Sequence, residues 1–248
     1  MDDRVGVAPR IDRLSPAPAG PVPEGDAAAR RRDVVMAGHL GGDPAGGAAV
    51  ARPALADPEP AVRAAALGAL ARLDRLELAD VRRAARDRSP RVKVRAAELA
   101  WRFGPDSVPV LLDLVAKRQP EVVEAACFGL GELGATAAGH PGSVAALAGV
   151  ARRHGDALCR EAAVAAIGAI RADGPLAPPD QGAAEDPGRA AVLAALEDKP
   201  AVRRRAVLAL AAFEGPDIDA ALESALADRD WQVRQAAEDL TGRRPSTS

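Results

Sequence analysis

The stretch DPEPAVRAAALGAL, residues 57–70, decides the fold because its pattern recurs along the chain. Related stretches are DRSPRVK at 87–93, EDKPAVR at 197–203 and DRDWQVR at 228–234. Six segments align without gaps on one position, here called the anchor, and the anchors are Val62, Val92, Val122, Cys159, Val202 and Val233. Recurrence at intervals of about 30 to 43 residues is typical of proteins built from stacked repeats.

Each anchor opens a stripe of small and apolar residues. Alanine stands four residues after every anchor, and apolar residues stand eight and eleven residues after the first five. These offsets share one face of an α-helix, so each segment predicts a helix, called an anchor helix, that buries this stripe. Cys127 and Cys159 take core positions, which favours buried thiols over disulfide or redox use.

A second helical segment precedes each anchor helix and completes a hairpin. These segments lie at 48–55, 78–86, 108–117, 144–153, 190–196 and 218–226. Proline two residues before an anchor can start a helix without losing a hydrogen bond, and it occurs as Pro60, Pro90, Pro120 and Pro200. Acidic residues favoured near helix N-termini stand five residues before four anchors, as Asp57, Asp87, Glu197 and Asp228.

This pattern resembles the HEAT repeat, in the short variety associated with phycobilin lyases, over most of residues 27–242. The resemblance implies an all-α fold, a right-handed α-solenoid of about six helical hairpins plus a partial N-terminal cap. In that cap we expect Arg32, Met36 and Leu40 to continue the anchor register. Such repeats serve mainly as binding surfaces, so the resemblance predicts architecture better than activity.

The composition divides the chain into three parts. Residues 1–25 are predicted to be a disordered arm, residues 26–242 the solenoid, and residues 243–248 a disordered tail. A Pro- and Gly-rich segment near 172–188 predicts a long surface loop. This loop is interpreted either as a lid or partner contact, or as an insertion without a function.

A basic residue follows five of the anchors, and the set is Arg63, Lys93, Arg160, Arg203 and Arg234. It borders the buried stripe, where a charge needs a partner. We expect a structural ladder in which each base pairs with a turn carboxylate of its own or the next repeat, as in HEAT proteins. Ligand binding by these bases is the alternative.

HEAT proteins line their concave face with the inner helices, and offsets +2, +6 and +9 should be exposed there. Trp101 and Phe128 fall at such offsets in adjacent repeats, and exposed aromatics framed by charge often anchor an interface. The alternative is that both fold back onto neighbouring helices. The candidate partner-binding residues are Arg95, Glu98, Trp101, Glu124, Phe128, Arg204 and Leu208; in other repeats these offsets hold small residues such as Ala64, Gly68 and Ala71.

Nucleic-acid binding is an alternative function, because residues 82–102 hold eight basic and two acidic side chains. HEAT-like alkylpurine DNA glycosylases bind nucleic acid, but the net charge of this chain is −2. A lyase-like or glycosylase-like enzyme is a further alternative, although no catalytic set stands out. The His-Glu pairs with which deoxyhypusine hydroxylases hold iron do not occur at His39, His140 or His154.

The favoured interpretation is therefore a non-catalytic adaptor that holds a protein partner on its concave face, with no cofactor and no metal. The first residues lack the features of a secretory signal, and no apolar run approaches the roughly 18 residues of a membrane span. A cytoplasmic protein without a membrane contact is expected. The sequence leaves the partner and the oligomeric state open.

Overall fold

The computed structural model describes residues 25–39, 43–140, 142–174 and 186–243. The predicted N-terminal arm apart from Gly25, residues 175–185 of the predicted loop, and the tail beyond Arg243 lie outside the described residues. In the described ranges the chain is built from helices and turns, with no strand. None of these helices combines the length and the apolar composition that a membrane-spanning segment requires.

The helices alternate between two layers. The anchor helices are α3 (Pro60–Arg72), α5 (Pro90–Ala100), α7 (Pro120–Glu132), α10 (Ala157–Asp173), α12 (Pro200–Leu210) and α14 (Trp231–Thr241). The outer helices are α2 (Pro44–Ala54), α4 (Leu78–Ala84), α6 (Val108–Val115), α9 (Ser143–Arg153), α11 (Pro187–Ala194) and α13 (Pro216–Ala225). Helix α1 (Ala27–Ala37) packs on α3, and α8 (Ala135–Ala138) lies in the first insertion. Short 3-10 segments at Trp101–Ser107 and Ala195–Glu197 follow α5 and α11.

The predicted stripe forms the core of the array. Every anchor residue and every alanine four positions later is buried, as are the apolar residues at offset +8. The four prolines predicted to start helices stand at the first position of α3, α5, α7 and α12. The chain is therefore an all-α solenoid, as the pattern predicted.

The two layers are packed unequally, which places the anchor helices on the inside of the curve. Consecutive anchor helices pack against each other along the whole array, whereas consecutive outer helices make extensive contacts only between α9 and α11. Closer approach within one layer bends a stack of repeats toward that layer. The exposed surface of the anchor helices is therefore the concave face.

The N-terminal cap does not follow the predicted register. Met36, expected in the core, is 57% exposed, while Val34 and Ala37 are buried instead. Arg32 is exposed as well, and Leu40 lies outside the described residues. The sequence prediction was wrong here because it extended the 30-residue spacing of the next repeats to a first helix with a different spacing.

The ladder shows how far that register is shifted. Arg30 donates two hydrogen bonds to Asp57, from Nε at 2.8 Å and from Nη2 at 3.0 Å. Arg63 binds Asp87 in the same way, at 2.8 and 2.7 Å. Arg30 therefore occupies the position after the anchor in α1, three residues before the place that the 30-residue spacing assigns.

Two further arginine–aspartate pairs of the ladder, here called rungs, lie in the second half of the array. Arg160 binds both carboxylate oxygens of Asp198 at 2.6 and 2.7 Å, and Arg203 binds Asp228 at 2.9 and 2.8 Å. Each arginine also donates to backbone carbonyls of the turn before its own helix, as Arg203 does to Asp198. One guanidinium thus ties together two successive turns, which confirms the ladder for these repeats.

One rung uses a residue that the pattern did not select. The predicted acid of the fifth repeat was Glu197, but Glu197 is exposed and Asp198 receives Arg160. The 3-10 segment Ala195–Glu197 ends the preceding helix, so the following residue enters the turn that faces Arg160. The ion pair is retained, but its acidic residue stands one position later than predicted.

The ladder is interrupted between the second and third repeats. Lys93 is only 8% exposed, yet among the described residues no carboxylate lies in ion-pair contact with it. The position five before the next anchor holds Lys117, and Arg118 and Gln119 complete the turn. Arg234, in the last repeat, donates to the backbone carbonyl of Asp228, and no carboxylate of the described residues lies in ion-pair contact with it.

Restoring this rung should stabilise the protein. In Lys93→Arg/Lys117→Asp the new carboxylate would accept from the guanidinium and from the backbone N–H of Gln119, as Asp87 accepts from Arg63 and Ser89. We expect the free energy of unfolding to rise by about 1 kcal/mol, measured by urea denaturation. Lys93→Arg/Lys117→Asn, with a neutral side chain of the same shape, should give less than half of that gain. Equal stability of the two variants would contradict the geometry of the rung.

Candidate functional site

The residues nominated for partner binding lie on the anchor helices, except Trp101, which stands one residue beyond the end of α5. Phe128 is 57% exposed and Trp101 is 37% exposed, so neither aromatic ring is folded into the core. The other nominated residues are exposed, apart from Arg95 and Leu208, which are half-buried. Exposure of two large aromatic side chains on one face is a feature of binding surfaces.

A groove between α7 and α10 surrounds Phe128. It encloses about 420 Å³, and its apolar lining includes Phe128, Leu158, Ala162, Ala165 and Ala169. Leu158, at the start of α10, is 58% exposed, so the groove presents two large apolar side chains to solvent. We call this surface the α7–α10 groove.

Small residues shape this groove by letting the two helices approach. A Cβ atom on Gly131 would lie 3.2 Å from the Cα of Ala166. The same relation recurs one repeat later, where a Cβ on Gly168 would lie 3.1 Å from the Cα of Ala209. Small residues at offset +9 thus form helix–helix contacts, which the sequence interpretation had assigned to the open surface.

The first repeat corrects that assignment in the same way. Ala64, Gly68 and Ala71 were expected on the exposed side, but all three are buried. The reason at Gly68 is the side chain of Arg95, whose guanidinium nitrogen would lie 2.5 Å from a Cβ at this position. Side chains of the next helix cover these offsets, and a single-helix projection cannot show that.

Carboxylates surround the apolar part of the α7–α10 groove. Glu124 and Glu132 line it, both are exposed, and within the described residues neither has an ion-pair partner. Glu161 accepts a hydrogen bond of 3.4 Å from Arg205 on α12. With three carboxylates and one guanidinium the groove carries a local charge of −2. Such a surface favours an apolar side chain with basic neighbours.

A second cavity of about 350 Å³ lies among α1, α3 and α5, and we call it the arginine cleft. Its charged lining consists of Arg31, Arg72, Arg91, Arg95 and Glu98. Arg95 donates to Glu98 at 2.8 Å, one turn along the same helix. Four guanidinium groups and one carboxylate give this cleft a local charge of +3.

Trp101 lies in a third cavity, so the nominated residues do not form one hot spot. This cavity of about 250 Å³ also contains Asp74 and Arg102, which form an ion pair at 3.4 Å. Helix α5 ends at Ala100, and the chain then turns through Gly104, whose φ is 56°. The Trp101 side chain therefore belongs to the end of α5, away from the groove that holds Phe128. Leu208 and Arg204 line none of these three cavities.

The basic segment 82–102 is divided between the two layers. Arg82 and Arg83 are on the outer helix α4, whereas Arg91 and Arg95 are on the anchor helix α5 and line the arginine cleft. The cleft is completed by Arg31 and Arg72 from outside the segment. A count along the sequence could not find these two, because their proximity to α5 depends on the packing of three helices.

The two cysteines are buried, and their thiols have raised pKa values. Burial raises the pKa of the Cys127 thiol to about 12 and that of Cys159 to about 11. Cys159 donates to the carbonyl of Pro120 at 3.2 Å. Since the thiolate is the nucleophile, these groups are unreactive near neutral pH. Among the described residues no group of three or more His, Cys, Asp or Glu side chains could hold a metal ion.

Comparison with known families identifies the repeat. Residues 48–131 and 79–168 match the family described as HEAT repeats. The chain is a HEAT-repeat protein. No curated protein matches the sequence of this HEAT-repeat protein.

One solved structure supports the fold, and two others align with lower TM-scores. An engineered protein aligns with 85% of this HEAT-repeat protein and 97% of its own chain, with 18% identity and a TM-score of 0.53. Human deoxyhypusine hydroxylase in complex with glycerol aligns over 87% of this chain and 97% of its own, with 16% identity and a TM-score of 0.36. The Escherichia coli protein YibA aligns over 68% and 71%, with 17% identity and a TM-score of 0.38.

Proposed function

We propose that this HEAT-repeat protein is a non-catalytic scaffold that holds a protein partner on its concave face in the cytoplasm. HEAT repeats commonly mediate protein interactions, and stacked repeats present a long curved surface without a separate core. The observation that carries the proposal is the α7–α10 groove, where Phe128 and Leu158 are both more than half exposed. Leaving two large apolar side chains in water on one groove costs free energy that a bound partner recovers.

The chemistry of the groove and of the two cysteines supports binding over catalysis. The groove combines an apolar lining with carboxylates that lie at exposed positions, which suits recognition. Buried thiols with raised pKa values supply no nucleophile at neutral pH. The resemblance of the repeat to the phycobilin-lyase type stays a prediction.

Affinity purification from the native cell extract with quantitative mass spectrometry tests the proposal. The bait is the full chain, compared with Phe128→Ala/Leu158→Ala and with Trp231→Ala as a matched control. Trp231 is a large apolar residue, 64% exposed at the start of α14 and outside the groove. We expect a partner that both the original chain and the control retain and that the groove variant recovers at least tenfold less.

Thermal unfolding of each bait is the control for folding. Because all three positions are exposed, truncation should cost little stability, and a loss of the partner then reports binding. A partner recovered equally with the folded groove variant would contradict the assignment of the groove. Absence of any partner retained by the original chain would contradict the scaffold role itself.

A further inference from the structure

The arginine cleft differs from the arginines of the ladder. The ladder arginines meet aspartates in two-point contacts, as Arg63 meets Asp87 and Arg203 meets Asp228. In the cleft, by contrast, the described residues offer no ion-pair partner to Arg31, Arg72 or Arg91. Positive charges are thus gathered in a concave site without the carboxylates that neutralise the arginines of the ladder.

The arginines of the cleft repel each other. Partial burial and the nearby charge of Arg95 lower the pKa of the Arg72 guanidinium below its ordinary value. Among the described residues that line the cleft, Glu98 is the only carboxylate, and it already binds Arg95. An incoming anion would remove this repulsion, so the cleft gains more from a negatively charged ligand than an isolated surface arginine does.

Two glycines lie against the guanidinium groups of the cleft. A Cβ on Gly68 would be 2.5 Å from a terminal guanidinium nitrogen of Arg95. A Cβ on Gly38 would be 2.7 Å from the Cα of Ala69 and 2.9 Å from a terminal guanidinium nitrogen of Arg72. A larger residue at Gly68 would displace the Arg95 side chain, and one at Gly38 would also push the end of α1 away from α3. The small residues therefore set the width of the cleft and the positions of its guanidinium groups.

We infer that the arginine cleft binds an acidic segment of the protein partner, with several carboxylates in contact with Arg31, Arg72 and Arg91. This inference rests on the proposed scaffold function and adds the chemistry of a second docking point. Arginine suits the role because its planar fork binds a carboxylate through two parallel hydrogen bonds.

The charge of the whole face favours a polypeptide over a nucleic acid. The cleft carries +3, whereas the α7–α10 groove on the same face carries −2. A phosphate backbone following the concave face would gain at the cleft and be repelled at the groove. A polypeptide with acidic residues at one end, and basic residues flanking an apolar side chain at the other, matches both surfaces and would bind in one orientation.

Fluorescence anisotropy with a labelled deca-glutamate peptide tests the cleft on the full chain at about 20 mM salt, where exposed charges interact over longer distances. The test variant is Arg72→Glu/Arg91→Glu. The matched control, Arg82→Glu/Arg86→Glu, reverses two exposed arginines at the outer helix α4 and makes the same change of four charge units. We expect the test variant to bind at least tenfold more weakly and the control to remain within about twofold of the original protein.

A labelled ten-residue oligothymidine, measured in parallel, separates peptide from nucleic acid. Tighter binding of the oligonucleotide than of the peptide would overturn the inference in favour of a nucleic-acid site. Equal losses in the test and control variants, or no peptide binding by the original chain, would overturn it as well. None of these results touches the scaffold proposal, which depends on partner recovery by the Phe128 and Leu158 variant.

Discussion

Replacing Arg203 with alanine is expected to lower the free energy of unfolding by about 3 kcal/mol, because the change leaves a half-buried carboxylate without its partner. The Arg203 side chain is 4% exposed and that of Asp228 is 16% exposed. Arg203 also donates to the backbone carbonyl of Asp198 at 2.9 Å, so the truncation frees acceptors in two turns at once. Breaking a buried pair from one side costs far more than losing an exposed pair.

Urea denaturation followed by circular dichroism measures the effect, and Arg204→Ala is the matched control. Arg204 is the next residue of α12, is exposed, and makes no ion pair within the described part of the chain. The control should stay within about 0.5 kcal/mol of the original protein. A similar loss in both variants would mean that helix propensity dominates and that the ladder contributes little.

The effect should also depend on pH in a defined direction. The hydrogen bond from Arg203 holds the pKa of Asp228 below its ordinary value of 3.8. Because the folded-state pKa of Asp228 is lowered, the stability that its ion pair with Arg203 contributes is fully present above about pH 4. That stability is lost as the pH falls through the folded-state pKa of Asp228. The stability difference between the original protein and Arg203→Ala should therefore narrow in acid.

The ladder also shows which part of the fold can be predicted from sequence. Offsets 0 and +4 predict burial correctly in all six repeats, and offset +8 does so in the first five, because a helical stripe is a local property of the chain. The pairing of Arg63 with the turn of the next repeat is one of the two arrangements that the pattern predicted, since the turn recurs at a fixed distance from the anchor. Local periodicity therefore predicts the burial pattern within one repeat and the contacts between that repeat and the next.

Where the period changes, the same reasoning fails. The cap was placed three residues out of register, which put Met36 in the core although it is exposed. The acid that binds Arg160 proved to be Asp198, because a 3-10 segment changes the turn before α12. In both places a small change of chain geometry moves the interaction by a few residues, and the sequence pattern alone carries no signal of it.

The candidate site was predicted only in part. Phe128 was identified from its offset, but Leu158 and Arg205 join it from other repeats and were not. Trp101, at offset +9, lies in a separate cavity, one residue beyond the end of α5. A groove between helices depends on how far each helix continues and how closely its neighbour approaches, and residues such as Gly131 set that approach.

Replacing Ala126 with leucine is expected to cost about 1 to 3 kcal/mol, because position +4 has no room for a larger side chain. Ala126 is completely buried in α7, between its neighbours in the anchor layer and the outer helices. Three added carbon atoms must displace α5, α6 or α10, and close-packed helices yield little without losing contacts elsewhere.

The matched control is Ala201→Leu, the same substitution at an exposed position in the first turn of α12. Leucine and alanine both favour helices, so this control should change the free energy of unfolding by less than about 0.5 kcal/mol. Urea denaturation of the two variants isolates the packing cost from the change in helix propensity. An unchanged midpoint in Ala126→Leu would show that the repeats separate easily at α7, and that the width of the adjacent α7–α10 groove is adjustable instead of being held by the small residues of the stack.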